Sequence, residues 1–138
     1  MIYLTVAGIP APQGSKRPVR LGNGRIGMAE SSRAVGPWRD AVRTETQRAV
    51  TEPMEGPLRV SLIFRLRRPA SLARSVLHPV KRPDLDKLVR STLDGLVAGG
   101  AFADDSQVVE LFTRKEYGIP GCMIRIDPPG RLSGGDPW

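Results

Sequence analysis

The residues best suited to chemistry are aspartates. Asp84 and Asp86 flank Leu85, and the pair Asp104-Asp105 follows an intervening apolar stretch. Carboxylates gathered within ~4 Å of one another repel by about 4 kcal/mol per pair at an effective dielectric of ~20, so a protein keeps such a cluster only where something offsets the repulsion. A hard divalent cation does so: Mg2+ takes oxygen ligands from a few carboxylates and waters, and substrate phosphate completes its shell. Facing a phosphodiester, such ions activate water and stabilise the leaving oxygen. The same residues also have local roles that need no cation. Asp at a helix start caps free N–H groups and complements the helix dipole, and Asp-Asp-Ser is ordinary turn chemistry. Cations sit close by in sequence. Arg90 follows Asp86 by one helical turn on the same side, where it would steady a phosphate or pair with Asp86. Lys87 stands one turn after Asp84 and invites the same two readings.

These groups need elements to position them. Leu85, Leu88, Val89, Leu93, Leu96 and Val97 recur at helical spacing, with Asp84 as N-cap and Gly99-Gly100 as the stop. Were Asp84 and Asp86 both helical, their carboxylates would point about 200° apart. With Asp84 extended as the cap they can converge, so the sequence permits a shared site. Asp94 falls on the charged side of the same helix and reads as solvated. Leu58, Val60, Leu62, Phe64 and Leu66 alternate with Arg59, Ser61, Ile63, Arg65 and Arg67, which predicts a strand whose outward face is largely arginine.

The remaining elements are simpler. Ile2–Ala7 alternates as a first strand, closed by Gly8 and Pro10. Gly36-Pro37 opens a helix running to about Val50, with Trp38, Val42 and Ala49 toward its buried side. Residues 108–117 and 122–127 read as two strands joined by a Gly-Ile-Pro-Gly turn. Residues 10–27 are aperiodic and rich in Gly, Pro, Lys and Arg, as in a mobile basic loop. Residues 69–83 form a proline-bounded connection with a short helical turn over 71–77. The order β-α-β-α-β-β predicts one α+β domain over 1–127, a small mixed β-sheet with helices packed against it, and a flexible Gly/Pro-rich tail over 128–138.

Composition narrows the function. A chain of 138 residues suits one domain with a modest core. No apolar run approaches the ~20 residues of a membrane helix, and the start MIYLTVAGIP lacks a basic, signal-like segment. The expectation is a cytoplasmic protein with no membrane partner. The single cysteine, Cys122, excludes an internal disulfide framework and a cysteine-rich zinc site; the single histidine, His78, argues against His-based metal centres and a Ser-His-Asp triad. Both read as structural. The stretch from Gly8 to Lys16 superficially resembles a phosphate-binding loop, but its glycine spacing and Ser-Lys order are wrong and no helix follows, so no nucleotide cofactor is expected. Of the 21 basic residues 17 are arginine, the residue suited to forked hydrogen bonding with phosphate. Residues 1–83 hold 15 basic and 5 acidic side chains, whereas residues 84–138 hold 6 and 9. A basic half beside a carboxylate cluster points to a polyanion such as DNA.

At this point a resemblance enters. The run Arg82-Pro-Asp-Leu-Asp-Lys-Leu-Val-Arg-Ser-Thr-Leu-Asp-Gly-Leu96, a short gap, then Asp105-Ser-Gln-Val-Val109 resembles the RusA-type Holliday-junction resolvases. The early strand, the Gln-Gly-Ser-Lys-Arg-Pro loop and the Trp38 helix look like phage- and prophage-type members, so the likeness spans about residues 2–127. It implies a RusA-like fold and a homodimeric, Mg2+-dependent endonuclease (Mn2+ serving as well) that nicks four-way DNA junctions symmetrically. By the same resemblance Asp84, Asp86 and Asp105 are the metal-binding, catalytic carboxylates, with Asp104 at the neighbouring acidic position. Two positions depart from the pattern. Lys87 replaces the family's usual asparagine, and Arg90 replaces its catalytic lysine, keeping the charge but not the ability to exchange a proton near neutral pH.

The function expected is therefore resolution of four-way junctions in DNA recombination and repair, in a prokaryotic or phage-infected cell. Asp84, Asp86 and Asp105 would hold the metal, Arg90 would stabilise phosphate charge, and Lys16, Arg17, Arg65, Arg67 and Lys87 would grip the DNA. The alternatives are a basic DNA-binding module without nuclease activity, and a nuclease for other branched DNA such as forks or flaps.

Overall fold

The computed structural model describes residues 1–14, 16–30 and 33–130. Its elements are β1 (Ile2–Ala7), β2 (Lys16–Arg20), β3 (Ile26–Glu30), α1 (Val35–Ala49), β4 (Leu58–Leu66), α2 (Leu85–Ala98), a 3-10 turn (Asp105–Gln107), β5 (Val108–Tyr117) and β6 (Gly121–Asp127). Alternation in β1, β4 and β6 puts Leu4, Val6, Leu58, Val60, Leu62, Phe64, Ile124 and Ile126 on one sheet face, all buried. The helices close over that face with Trp38, Val42, Leu88 and Leu96. The four strands lie in the order β1-β6-β4-β5. β6 runs antiparallel to both β1 and β4, while β5 runs parallel to β4. A parallel neighbour requires a crossover, and α2 provides it. The result is the expected α+β domain with a small mixed sheet and both helices on one side.

The two helices approach closely because glycines face the contact. A Cβ at Gly95 would lie 2.7 Å from Val42 Cβ, and one at Gly99 would lie 2.5 Å from Thr46 Cβ. Gly99 thus serves packing as well as the helix stop read from the sequence. Trp38 Nε1 donates to Thr92 Oγ1 across the helix pair (3.1 Å), and Thr92 Oγ1 donates in turn to Leu88 O (2.8 Å). The buried stripe of α1 is Val35, Trp38, Val42 and Thr46, and Ala49 faces solvent instead. Thr46 is tolerated inside because its hydroxyl donates to Val42 O at 2.7 Å.

Three further expectations are corrected. Within 10–27 the chain is not loop throughout: β2 and β3 form an antiparallel hairpin, and 10–14 leads into it without regular structure. Its turn is closed by Leu21 N–H to Arg25 O (2.7 Å) and Gly24 N–H to Leu21 O (3.0 Å), with Gly24 at φ +80°. A two-stranded ribbon accommodates Pro18 because each strand has an unpaired edge. Residues 71–77 hold no helix. Two turns close there instead, through Leu72 N–H to Pro69 O and Val76 N–H to Ala73 O. The largely arginine face of β4 is also not turned freely outward: Ser61 and Ile63 on it are buried, and its arginines are paired. Arg59 faces Glu110 and Asp127, Arg125 donates to Asp127 at 2.8 Å, and Arg65 Nε lies 3.1 Å from Glu116. These carboxylates come from β5 and β6 in register with β4, a pairing that β4 alone could not reveal.

The Gly-Ile-Pro-Gly segment carries the chain past the end of β4, which lies between β5 and β6; Gly118 N–H donates to Leu66 O at 2.9 Å. Of the expected tail, residues 128–130 carry no regular structure and Gly130 N–H donates to Glu110. The rest of the tail, 131–138, lies outside the described residues.

Candidate active site at the start of α2

Asp84 stands at the N-cap of α2 in extended conformation (φ −70°, ψ 137°), and its carbonyl accepts the first helical bond from Leu88 N–H at 3.1 Å. The backbone therefore caps, but the carboxylate does not, because the side chain makes no capping hydrogen bond. Among the described residues it forms one ion pair, with Lys87 Nζ at 3.9 Å, both side chains being about half exposed. Such a pair stabilises the fold by a few tenths of a kcal/mol. Asp86 is exposed in the first turn, and Arg90 is exposed one turn further. No ion pair joins Asp86 and Arg90 among the described residues. Two carboxylates and two cations thus crowd one corner without being consumed by the fold.

Several segments converge on that corner. β1, β4 and β5 all direct their C-terminal ends toward it. Ser91 Oγ donates to Ala11 O at 2.6 Å, and Gln13 N–H donates to Lys87 O at 3.0 Å. The chain entering the β2–β3 hairpin is thereby tied to the first two turns of α2, with Lys16 and Arg17 just beyond the tether. Lys115 Nζ donates to Lys81 O (2.8 Å) and Pro83 O (2.9 Å), holding the segment that leads into Asp84. Arg67 follows β4 and is exposed at the same end. Arg65 lies there too, already paired with Glu116.

The other acidic pair occupies the opposite end of α2. Asp104 is a capping residue. Its Oδ1 accepts from Ser106 N–H at 2.8 Å, and Gln107 Oε1 accepts from Asp104 N–H at 3.2 Å, a reciprocal capping box. The Ser106 backbone donor, aided by the Ser106 and Asp105 side chains, holds the Asp104 carboxyl below its ordinary value. Asp105 is exposed and lines a shallow depression with Asp94, Val97, Ala98, Ala103 and Asp104. From Asp86 to Ala98 the helix axis advances ~18 Å. The structure thus gathers Asp84, Asp86, Lys87 and Arg90, and it leaves Asp105 at the far end of the same helix.

Carboxylate oxygens are the right donors for Mg2+. Yet among the described residues no group of three or more His, Cys, Asp or Glu lies close enough to hold a metal ion.

Sequence reasoning overlooked Lys115 and Ser91. Each left a signal: Ser91 is a polar residue buried within the apolar half of α2, and Lys115 occupies the helix-facing register opposite Phe64. A charge at a core-facing strand position is a demand for partners.

No helix among the described residues is long and apolar enough to cross a membrane. No curated protein matches the chain closely enough to count as a relative. The family Endodeoxyribonuclease RusA matches residues 8–127, which takes in the β2–β3 hairpin, both helices, the Asp84–Asp86 corner and Asp105. With that match over nearly its whole length, the chain belongs to the RusA endodeoxyribonuclease family.

Proposed function

We propose that this endodeoxyribonuclease resolves four-way DNA junctions by paired, symmetric nicks, in a Mg2+-dependent (or Mn2+-dependent) reaction carried out by a two-fold homodimer in the cytoplasm. The observation that carries the reading is the Asp84 carboxylate, which sits at a helix N-cap and makes no capping bond, at the end of the molecule where basic segments converge. Asp104, by contrast, uses its Oδ1 in capping and is read as structural. Asp84 and Asp86 of one protomer would hold the cation together with the partner's Asp105. The two-fold relation suits this, because α2 carries one part of the centre at each end and an antiparallel pairing brings unlike ends together. The exposed apolar side chains Val109 (60%) and Leu111 (48%) on the edge strand β5, beside Asp105, support a covered surface there. When bound, the cation supplies an activated water and charge stabilisation for in-line hydrolysis.

The chain's own groups would do the rest. Arg90, unpaired with Asp86 and one turn from it, would meet the scissile phosphate. Lys87, Lys16, Arg17 and Arg67 would hold the backbone around it, as phosphate contacts orient DNA without reading sequence. Arg65 would first have to leave Glu116 and is the weakest of the expected contacts. The test is cleavage of a labelled four-way junction by the wild type, Asp86→Asn and Asp105→Asn, with and without Mg2+. Both variants should bind the junction and fail to cut it. Wild-type cutting by either variant removes that residue from the site, and preferred cutting of forks or flaps by the wild type replaces the junction as substrate.

A further inference from the structure

Resting on the junction-cutting reading above, we propose that Lys115 is a positioning residue for strand scission, fixing the peptide unit that precedes Asp84. Its ammonium donates to two backbone carbonyls, Lys81 O at 2.8 Å and Pro83 O at 2.9 Å. The Pro83 carbonyl and the Asp84 nitrogen share one rigid peptide plane. Whatever holds that carbonyl therefore sets where the Asp84 side chain departs. The Asp84 carboxylate makes no capping bond, and among the described residues only the 3.9 Å pair with Lys87 engages it, so backbone placement sets its direction.

The surroundings give the clasp its purpose. Residues 67–84 form a long connection without helix or strand. Arg68 restrains its middle, donating to Val76 O (2.6 Å) and Ala73 O (2.7 Å) while its guanidinium lies 5.2 Å from the Tyr117 ring centroid. Lys115 restrains its end. Both anchors rest on β5 or on the β4 terminus beside it, so the connection is referenced to the parallel strand pair and not to α2 itself. A lysine ammonium is strongly hydrated and its stem is flexible. Spending two of its three donors on carbonyls, from a register position facing the helices, is an arrangement a solvated lysine does not adopt. The ammonium acts through the backbone, so its loss displaces Asp84 without removing any group that touches DNA.

The experiment compares wild type, Lys115→Met and Lys115→Arg by single-turnover junction cleavage, by junction binding without divalent ion, and by amide hydrogen exchange. Lys115→Met should slow cleavage by about a hundredfold, the scale of a small misplacement of a reacting group, with junction binding unchanged. The amide of Leu88, whose N–H is bonded to the Asp84 carbonyl, should exchange faster while those of β4 and β6 do not. Lys115→Arg, which keeps the charge and a forked donor, should recover most of the rate. Cleavage by Lys115→Met at the wild-type rate, or unchanged exchange at Leu88, overturns the proposal. Joint loss of fold in both variants overturns it as well, by making Lys115 a structural staple. Failure of the wild type to cut any junction overturns the functional reading itself, which the wild-type lane distinguishes from a failure of Lys115.

Discussion

Chains carrying Asp86→Asn and chains carrying Asp105→Asn, each inactive alone, should restore nicking when mixed. Asp86 and the Ala98 end of α2, where Asp105 lies, are separated by ~18 Å of helix axis, whereas oxygen ligands stand only ~2.0–2.6 Å from a bound Mg2+ or Ca2+. If each centre draws Asp84 and Asp86 from one protomer and Asp105 from its partner, a mixed dimer contains one doubly substituted centre and one fully intact centre. Random pairing makes roughly half of the dimers mixed, and half of their centres work, so nicking should return to about a quarter of the wild-type rate. Isolating mixed dimers through two affinity tags should raise this to about half. A supercoiled plasmid bearing a cruciform reads the outcome directly. One nick yields an open circle, while paired nicks yield a linear molecule, so the mixed dimers should give circles and very little linear product. Mixed dimers as inert as their parents, with dimerisation intact, would refute the shared centre and place all three carboxylates within one chain.

Two other expectations concern the scaffold. Helix propensity alone predicts that Gly95→Ala gains about 1 kcal/mol, but the new Cβ would meet Val42 Cβ at 2.7 Å and Arg39 O at 3.1 Å. Overpacking of that kind costs about 1–3 kcal/mol and a backbone carbonyl cannot step aside, so urea melts should show a net loss; a gain would show that the helices separate freely. The Asp104 carboxyl, held below its ordinary value by the Ser106 N–H, stabilises the fold above that value, and the contribution is lost as pH falls through the lowered one. Asp104→Asn keeps an acceptor but no charge, so its stability deficit should shrink on acidification, and a deficit independent of pH would show that the charge plays no part.

What the sequence revealed and what it hid divide along the range of the interactions. Period-two alternation in 58–66 and the apolar stripe of 85–97 placed β4 and α2, because each pattern is imposed by one face against one core, although Ser61 and Ile63 on the other face of β4 are buried as well. The Asp84 cap was legible for the same local reason. The hairpin over 16–30 is hidden by proline and charge, and Asn23-Gly24 is its one local turn signal. The neutralised arginine face required knowing that β5 and β6 flank β4, which only the topology shows. Spacing likewise made Asp84, Asp86 and Asp105 a plausible cluster but said nothing of the distance between the two ends of α2. Lys115 escaped because its partners are carbonyls more than thirty residues away, invisible to any motif of side chains.

Splitting the acidic groups between the two tips of one rod has a cellular consequence. If each centre is shared between two protomers as proposed, a solitary copy would be harmless to the genome, since it would not hold a complete cutter by itself. The rate of breakage would then climb with the square of expression at low dose, giving the host a threshold below which stray molecules do no damage and above which both strands are severed together.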